Sequence, residues 1–301
     1  KDENKNRVES FKYDDLGVVY DILKKSSRPV LLAGNGIRNS EGQKSLNKLV
    51  KKLGIPVLTT RRGADLISEK NSLFFGRPGA YGQRSANLIL QNSDFLLVIG
   101  SSLSVPLTGR NTKAFARSAK IVVVDIDPNE LKNKSINLDI PILSDARNFI
   151  DNFLNIIDKN LPNFIDWLKY CSKMKSMFPH SSYGGKFIND PKFEENKIYP
   201  LNLLNTLSSK LEENDTIVAD GGASLIYTLL AFNFKSDQRL LSSTGLELSG
   251  FSLAGSIGAC VASNYKKVIC ICEDRGLQNG MHEIQTIMDY KLPIKILVLK
   301  S

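Results

Sequence analysis

The sequence predicts an α/β chain of two doubly wound domains, each built on a mainly parallel sheet. Three observations predict it. Short apolar runs rich in β-branched residues alternate with segments of helical apolar spacing, first between residues 14 and 157 and again after 201. Between the two alternations lies an aperiodic stretch that carries Pro179, Gly184, Gly185, Pro191 and Pro200 among polar residues. Finally, Lys267 to Ser301 compresses a strand, a helix and a second strand into about thirty residues, the size of a βαβ unit.

In order, Asp14 to Lys25 reads as an amphipathic helix leading into the first domain. Pro29 to Ala33 is a buried strand, Glu41 to Leu53 a helix and Ile55 to Thr59 a strand. A helix begins at Gln83 and ends near Asn92; Phe95 to Ile99 and Ile121 to Asp125 are strands, and Asp145 to Ile157 is a periodic helix. Asn163 to Phe178 is expected to be a surface-facing helix. These elements make a central domain over residues 1–178 with a leading and a trailing helix, then a linker over 179–200. From Leu201 the pattern is helix, strand Thr216 to Ala219, helix, strand Arg239 to Leu241 and helix. The closing βαβ unit has Val268 to Cys272 as its first strand and one helix carrying Leu277, Met281, Ile284, Ile287 and Met288. Pro293 stops that helix, and Ile294 to Leu299 is the last strand. The second domain thus occupies 201–301, and because the chain starts at Lys1 and stops just after a strand it is expected to be a fragment of a longer protein.

Composition narrows the function classes. Forty Lys and Arg against 31 Asp and Glu give a net charge of +9, but Lys predominates and is scattered, without the clustered arginine and aromatics of a nucleic-acid face. The N-terminal KDENKNR is a mixed-charge linker. No apolar run approaches the ~20 residues of a membrane span, and no signal-peptide pattern is present. The expectation is a cytoplasmic protein that binds neither nucleic acid nor membrane. Cys171, Cys260, Cys270 and Cys272 are read as buried thiols of a reducing compartment. Cys270 and Cys272 are expected on opposite faces of their strand, and with only His180 and His282 available no zinc pattern exists.

Three stretches carry candidate chemistry. Gly34-Asn35-Gly36 follows a strand and precedes a helix, but Asn39 holds the third-glycine position and the next strand ends in Thr59-Thr60 rather than an acid, which argues for a tight turn over a dinucleotide site. Asp220-Gly221-Gly222-Ala223-Ser224 sits between a strand and a helix, where backbone N–H groups can cradle a phosphate; the bland alternative is a plain βα turn. Asp274 stands just past the first strand of the closing unit and Ser301 just past the second. Parallel neighbours ~4.8 Å apart would let the two share one cation, with a diphosphate over the helix N-terminus.

That layout resembles the cofactor half of thiamine diphosphate enzymes, the acetolactate synthase and pyruvate decarboxylase superfamily. Their Gly-Asp-Gly positions read Glu273, Asp274 and Arg275 here, and their Asn-Asn positions Lys300 and Ser301; Gln278, Glu283 and the run LPIKILVL fit as well. Ser242 to Ala259, SSTGLELSGFSLAGSIGA, is similar to the family's glycine-rich segment and following helix. In the first domain the related segments are Gly76 to Gly82, Gly100 to Ser104 and Val124 to Asp127. The resemblance covers nearly the whole chain and implies a Rossmann-like central domain followed by a truncated thiamine diphosphate-binding domain.

What the resemblance implies for the site is specific. Gly221, Gly222 and Ala223 would touch the diphosphate, and Asp274 and Ser301 would hold Mg²⁺. The carbonyl of Glu247 and the N–H of Ser249 would meet the aminopyrimidine, with Leu248 as the replacement for a large wedge side chain at Ser249. Arg275, beside Gly276, could pair with phosphate oxygens. Some family members bind FAD or ADP in the central domain. The implied activity is decarboxylation of a 2-oxo acid or its ligation to a second carbonyl, in a homodimer or homotetramer. The family's activating glutamate lies on a preceding domain, so no catalytic residue is assigned within 1–301 and this fragment alone is expected to be inactive. Five departures, at Ser249, Glu273, Arg275, Lys300 and Ser301, support a non-catalytic paralogue as the alternative.

Overall fold

The computed structural model describes residues 13–132, 136–158, 161–179, 198–243 and 245–300. They fall into two compact units, one within Lys1–Leu66 and Asn71–Phe178, the other within Ile67–Lys70 and Pro179–Ser301. Each is an α/β layer structure around a parallel sheet.

The first unit runs α1 (Tyr13–Lys25), β1 (Pro29–Ala33), α2 (Gly36–Asn39), α3 (Gln43–Leu53), β2 (Val57–Thr59), α4 (Arg84–Asn92), β3 (Phe95–Ile99), α5 (Val105–Thr108), β4 (Lys120–Asp125), α6 (Pro128–Lys132), β5 (Ile140–Leu143), α7 (Ala146–Ile156) and α8 (Ile165–Met177). Its strand order is β2-β1-β3-β4-β5, every pair parallel. β1 and β3 are buried along their whole length, which explains why both read as unbroken apolar runs rather than alternating ones. Asp145 caps α7 by accepting the Asn148 N–H at 3.0 Å. Gly34, Gly36 and Gly100 meet backbone to backbone at the ends of β1 and β3, where a Cβ on Gly34 would lie 2.2 Å from the Gly100 carbonyl oxygen. These glycines serve that approach, in keeping with a turn.

The second unit runs α9 (Pro200–Lys210), β6 (Thr216–Ala219), α10 (Ala223–Ala231), β7 (Arg239–Leu241), α11 (Phe251–Ala262), β8 (Val268–Glu273), α12 (Asp274–Asn279), α13 (Glu283–Asp289) and β9 (Ile294–Leu299), with strand order β7-β6-β8-β9, again all parallel. Pro200 opens α9 in the first turn, where its missing N–H has no intrahelical partner to lose. Leu253, Cys260, Cys270 and Ile287 anchor the core under α11 and α13.

Four expectations need correction. The single helix read across Leu277 to Met288 is two short helices, broken at Gly280, which packs where a side chain would strike Leu253. Met281 and Met288 are exposed, not part of the buried face. β5 was not anticipated: it is a short edge strand with Pro141 in it, and an edge leaves one row of backbone groups free of ladder duty. α8 is less surface-facing than its polar residues suggest, because Trp167 and Cys171 are buried in the sheet's core. Cys270 and Cys272 share one face and hydrogen-bond to each other, since a strand's side chains repeat every two residues.

Candidate functional site

In the second sheet the chain leaves β6 toward β7 on one side and leaves β8 toward β9 on the other, so the carboxyl ends of β6 and β8 form a topological switch point, the place where open α/β sheets leave a crevice. Three segments meet there: the turn Asp220–Gly222 after β6, the loop Gly245–Gly250 before α11, and the β8–α12 junction at Glu273–Gly276.

Asp220 holds them together. It is buried, and its backbone N–H extends the ladder to the Ile271 carbonyl at 2.9 Å. Its carboxylate accepts the Gly250 N–H at 2.8 Å and the Ser252 N–H at 3.1 Å, at the start of the twelve-residue α11. A buried carboxylate is tolerable when donors and a helix N-terminus face it, and both do. Gly221 permits the loop to close in, for a Cβ there would lie 2.5 Å from the Glu247 carbonyl carbon.

Glu273 ends β8, paired with Leu299 of β9. Its Oε1 accepts the Ser224 N–H at 2.9 Å, in the first turn of α10. Gly222, at φ +88 and ψ −146, leaves room for that oxygen: an added Cβ would sit 2.9 Å from it. A carboxylate therefore occupies the helix N-terminus where the turn could cradle a phosphate.

The predicted residues are placed as follows. Gly221, Gly222 and Ala223 line the β6–α10 turn, within the same cluster as Asp274, Arg275 and Gly276 at the start of α12. Asp274 is half-buried with its Oδ1 on the Arg275 N–H at 2.9 Å, and Arg275 is exposed. Glu247, Leu248 and Ser249 are exposed on the loop, where the Ser243 hydroxyl accepts the Leu248 N–H at 2.9 Å. Lys300, exposed, directly follows the residue paired with Glu273, so an ammonium-bearing residue stands at the end of β9 beside the Asp274 end of β8. Ser301 lies outside the described residues. Among the described residues no group of three or more His, Cys, Asp or Glu is placed to hold a metal.

Two members of the cluster were missed as site residues. In the sequence Asp220 stands out only as part of a turn, and Glu273 only as a departure from the family pattern. A buried acid at a strand end facing a glycine-rich loop is the signal that marks Asp220. Nothing in the sequence tells that Glu273 turns its carboxylate toward α10, because that depends on β6 and β8 being neighbours. Below the cluster Cys270 and Cys272 face Ser252 and Ser256 from β8, and the Cys272 thiol is pushed up by its hydrogen bond to Cys270, by burial and by the Asp220 charge.

Comparison with known proteins decides what this arrangement belongs to. Residues 17–153 match the central domain of thiamine pyrophosphate enzymes, and residues 220–300 match their C-terminal TPP binding domain. The chain belongs to the thiamine pyrophosphate enzyme family. It is 33% identical over 291 residues to the probable acetolactate synthase large subunit of Methanococcus aeolicus, covering 93% of this chain and 47% of that protein. It is 33% identical over 282 residues to the corresponding protein of Methanocaldococcus jannaschii, with the same coverage. The acetolactate synthase large subunit of Buchnera aphidicola subsp. Schlechtendalia chinensis is 31% identical, with 93% and 48% covered. The chain spans about half the length of the curated relatives it matches.

The residues present fit thiamine diphosphate in outline. The β6–α10 turn is shaped to approach an anion with its backbone, and Asp274 supplies a carboxylate at the β8 end. One side chain stands in the way, that of Glu273, seated on the Ser224 N–H.

Proposed function

We propose that this chain supplies the middle and cofactor-facing domains of an acetolactate-synthase-like enzyme that decarboxylates or ligates 2-oxo acids with thiamine diphosphate and Mg²⁺. The observation that carries the reading is the convergence of the β6–α10 turn, the glycine-rich loop and Asp274 at one switch point, fastened by Asp220. In this reading the first-turn N–H groups of α10 hold the diphosphate, Asp274 holds the metal, and the backbone of Glu247 and Ser249 meets the aminopyrimidine. Bound thiamine diphosphate would supply the electron sink for cleaving and forming bonds next to a carbonyl. The residues of this chain position the group and shield one side of it from water. A homodimer or homotetramer in the cytoplasm is part of the same proposal, and no described helix is long and apolar enough to cross a membrane.

Titration of the full-length protein with thiamine diphosphate, with and without Mg²⁺, tests this reading. Mg²⁺-dependent binding that disappears in Asp274→Ala, together with turnover of pyruvate, is expected. Absence of binding at millimolar cofactor would instead favour a second reading, a non-catalytic paralogue that keeps the scaffold. Lys300 beside the Asp274 strand end is the observation on that side, since an ammonium there competes with a divalent cation.

A further inference from the structure

We propose that Glu273 is a built-in competitor of the cofactor's diphosphate: its carboxylate substitutes for a phosphate at the N-terminus of α10 and must leave before an anion can bind there. The inference rests on the reading of 220–300 as a diphosphate-facing edge. It adds a residue that controls how tightly that edge takes its ligand.

α10 is nine residues long, Ala223–Ala231, and its first-turn N–H groups have no intrahelical partner of their own. Ser224 donates its N–H to Glu273 Oε1 at 2.9 Å, the length of a charge-assisted bond. The other groups on Ser224 are engaged within its own segment, its hydroxyl on the Asp220 carbonyl at 3.1 Å and its carbonyl on the Thr228 hydroxyl at 2.7 Å, so the N–H is the group left for an anion from outside the helix, and Glu273 takes it. The oxygen also lies against Gly222, in the space a side chain would fill. A terminal phosphate oxygen needs those same features: an N–H at a helix start and a glycine that lets it approach. Two anions cannot share them, because each would lose the donor and meet the other's charge.

The chemistry also explains how such a domain stands without ligand. A diphosphate site emptied of its anion leaves helix N–H groups facing one another's partial positive charge. Here the protein supplies the anion from β8, so α10 keeps a cap whether or not cofactor is present. Arg275, exposed and two residues along, is free in direction to meet either the carboxylate or an incoming phosphate, and so does not by itself settle the competition.

Isothermal titration of the full-length protein and of Glu273→Gly with thiamine diphosphate plus Mg²⁺, and separately with inorganic pyrophosphate, tests the proposal. Removing a competing charge-assisted bond is expected to tighten both ligands by about tenfold to a hundredfold. Glu273→Gln keeps the shape without the charge and guards against a folding defect; it is expected to fall between the two. Hydrogen exchange of the peptide spanning 220–231 gives a readout independent of turnover. In ligand-free protein Glu273→Gly should exchange faster than wild type there, and pyrophosphate should restore protection. If wild type binds and the glycine variant binds no tighter, Glu273 is no competitor, while the cofactor reading stands. If neither binds and Asp274→Ala changes nothing, the cofactor reading falls and this inference with it.

Discussion

Gly276 lies so close to Asp220 that a Cβ on it would fall 1.9 Å from the Asp220 Oδ2. The first turn of α12 is thereby pressed onto the carboxylate that also pins Gly250 and Ser252. Asp220→Ala removes the acceptor of buried N–H groups and is expected to cost about 3 kcal/mol, from the ~1.5–3 kcal/mol of a bond to a charged group and the penalty for orphaned donors. Gly276→Ala overpacks the same point and is expected to cost about 1–3 kcal/mol. Because both act on one contact, the double variant should lose clearly less than the sum in urea unfolding. Full additivity would mean that the two residues do not press on each other in solution.

Gly222 gives a second test of the same edge. Its φ of +88 and ψ of −146 suit glycine almost alone, so Gly222→Ala is expected to cost about 1–3 kcal/mol. The new methyl would also meet Glu273 Oε1, 2.9 Å away, and dislodge it from Ser224. Part of the cost should therefore vanish in a Glu273→Gly background. An equal cost in both backgrounds would place the whole effect in the backbone.

Much of this was legible in the sequence, and the reason is physical. β1, β3 and β6 announce themselves because short strands buried between helices need apolar runs, and their predicted bounds, like those of the half-buried edge strand β7, match the observed ones. The backbone elements that form the site, the β6–α10 turn and the β8–α12 junction, were legible as glycine and acid at strand ends. What was not legible depends on neighbours distant in sequence. Glu273 and Ser224 are 49 residues apart, and only the β6–β8 pairing brings them together. The break at Gly280 escaped because a 3.6-residue period continued across it, while the packing against Leu253 that forces it is tertiary. The opposite-face reading of Cys270 and Cys272 misapplied the strand period, which puts positions two apart together.

That shared face makes a chemical prediction. All four cysteines are free and fully buried, and burial pushes the thiols of Cys171 and Cys260 up. The thiolate is the reactive species, so a buried thiol held protonated is inert; Cys270, drawn down to about 7 by its hydrogen bond with Cys272, is protected by its burial alone. Iodoacetamide at pH 8 is expected to leave all four unlabelled in the native protein and to modify all four in urea, read by intact mass. Rapid native labelling at Cys270 or Cys272 would show that β8 opens locally.

Trp167 ties α8 to the first sheet. Its indole N–H donates to the Pro29 carbonyl at 2.9 Å, and its ring stacks on Tyr170 with centroids 5.2 Å apart. Trp167→Phe forfeits the hydrogen bond, orphans a buried carbonyl and leaves a void, for an expected loss of about 2–3 kcal/mol. Chemical denaturation followed by circular dichroism measures it. A loss under about 0.5 kcal/mol, the range of an ordinary surface change, would mean that α8 does not dock as described.

Tyr20 on α1 carries the pH dependence. Its hydroxyl donates to Asp158 Oδ1 at 2.6 Å and accepts the Asp158 N–H at 3.2 Å, and its ring meets Phe153 of α7 edge-on. Burial raises its pKa, and the hydrogen bond to the Asp158 carboxylate raises it further. The folded state thus holds the phenolic proton more tightly than the unfolded chain, whose tyrosines titrate near ~10. Stability from this group is complete below about pH 10 and is lost as pH rises through the higher folded value. Tyr20→Phe should be less stable than wild type at pH 8, by about 1 kcal/mol for the lost hydrogen bond. As pH climbs past 10 the wild type should lose its advantage, because an ionised phenolate would be left beside a carboxylate, and the two urea midpoints should converge. Midpoints that stay parallel from pH 8 to 11 would show that Tyr20 titrates alike in the folded and unfolded states, and the link between α1 and Asp158 would then contribute nothing to the alkaline limit.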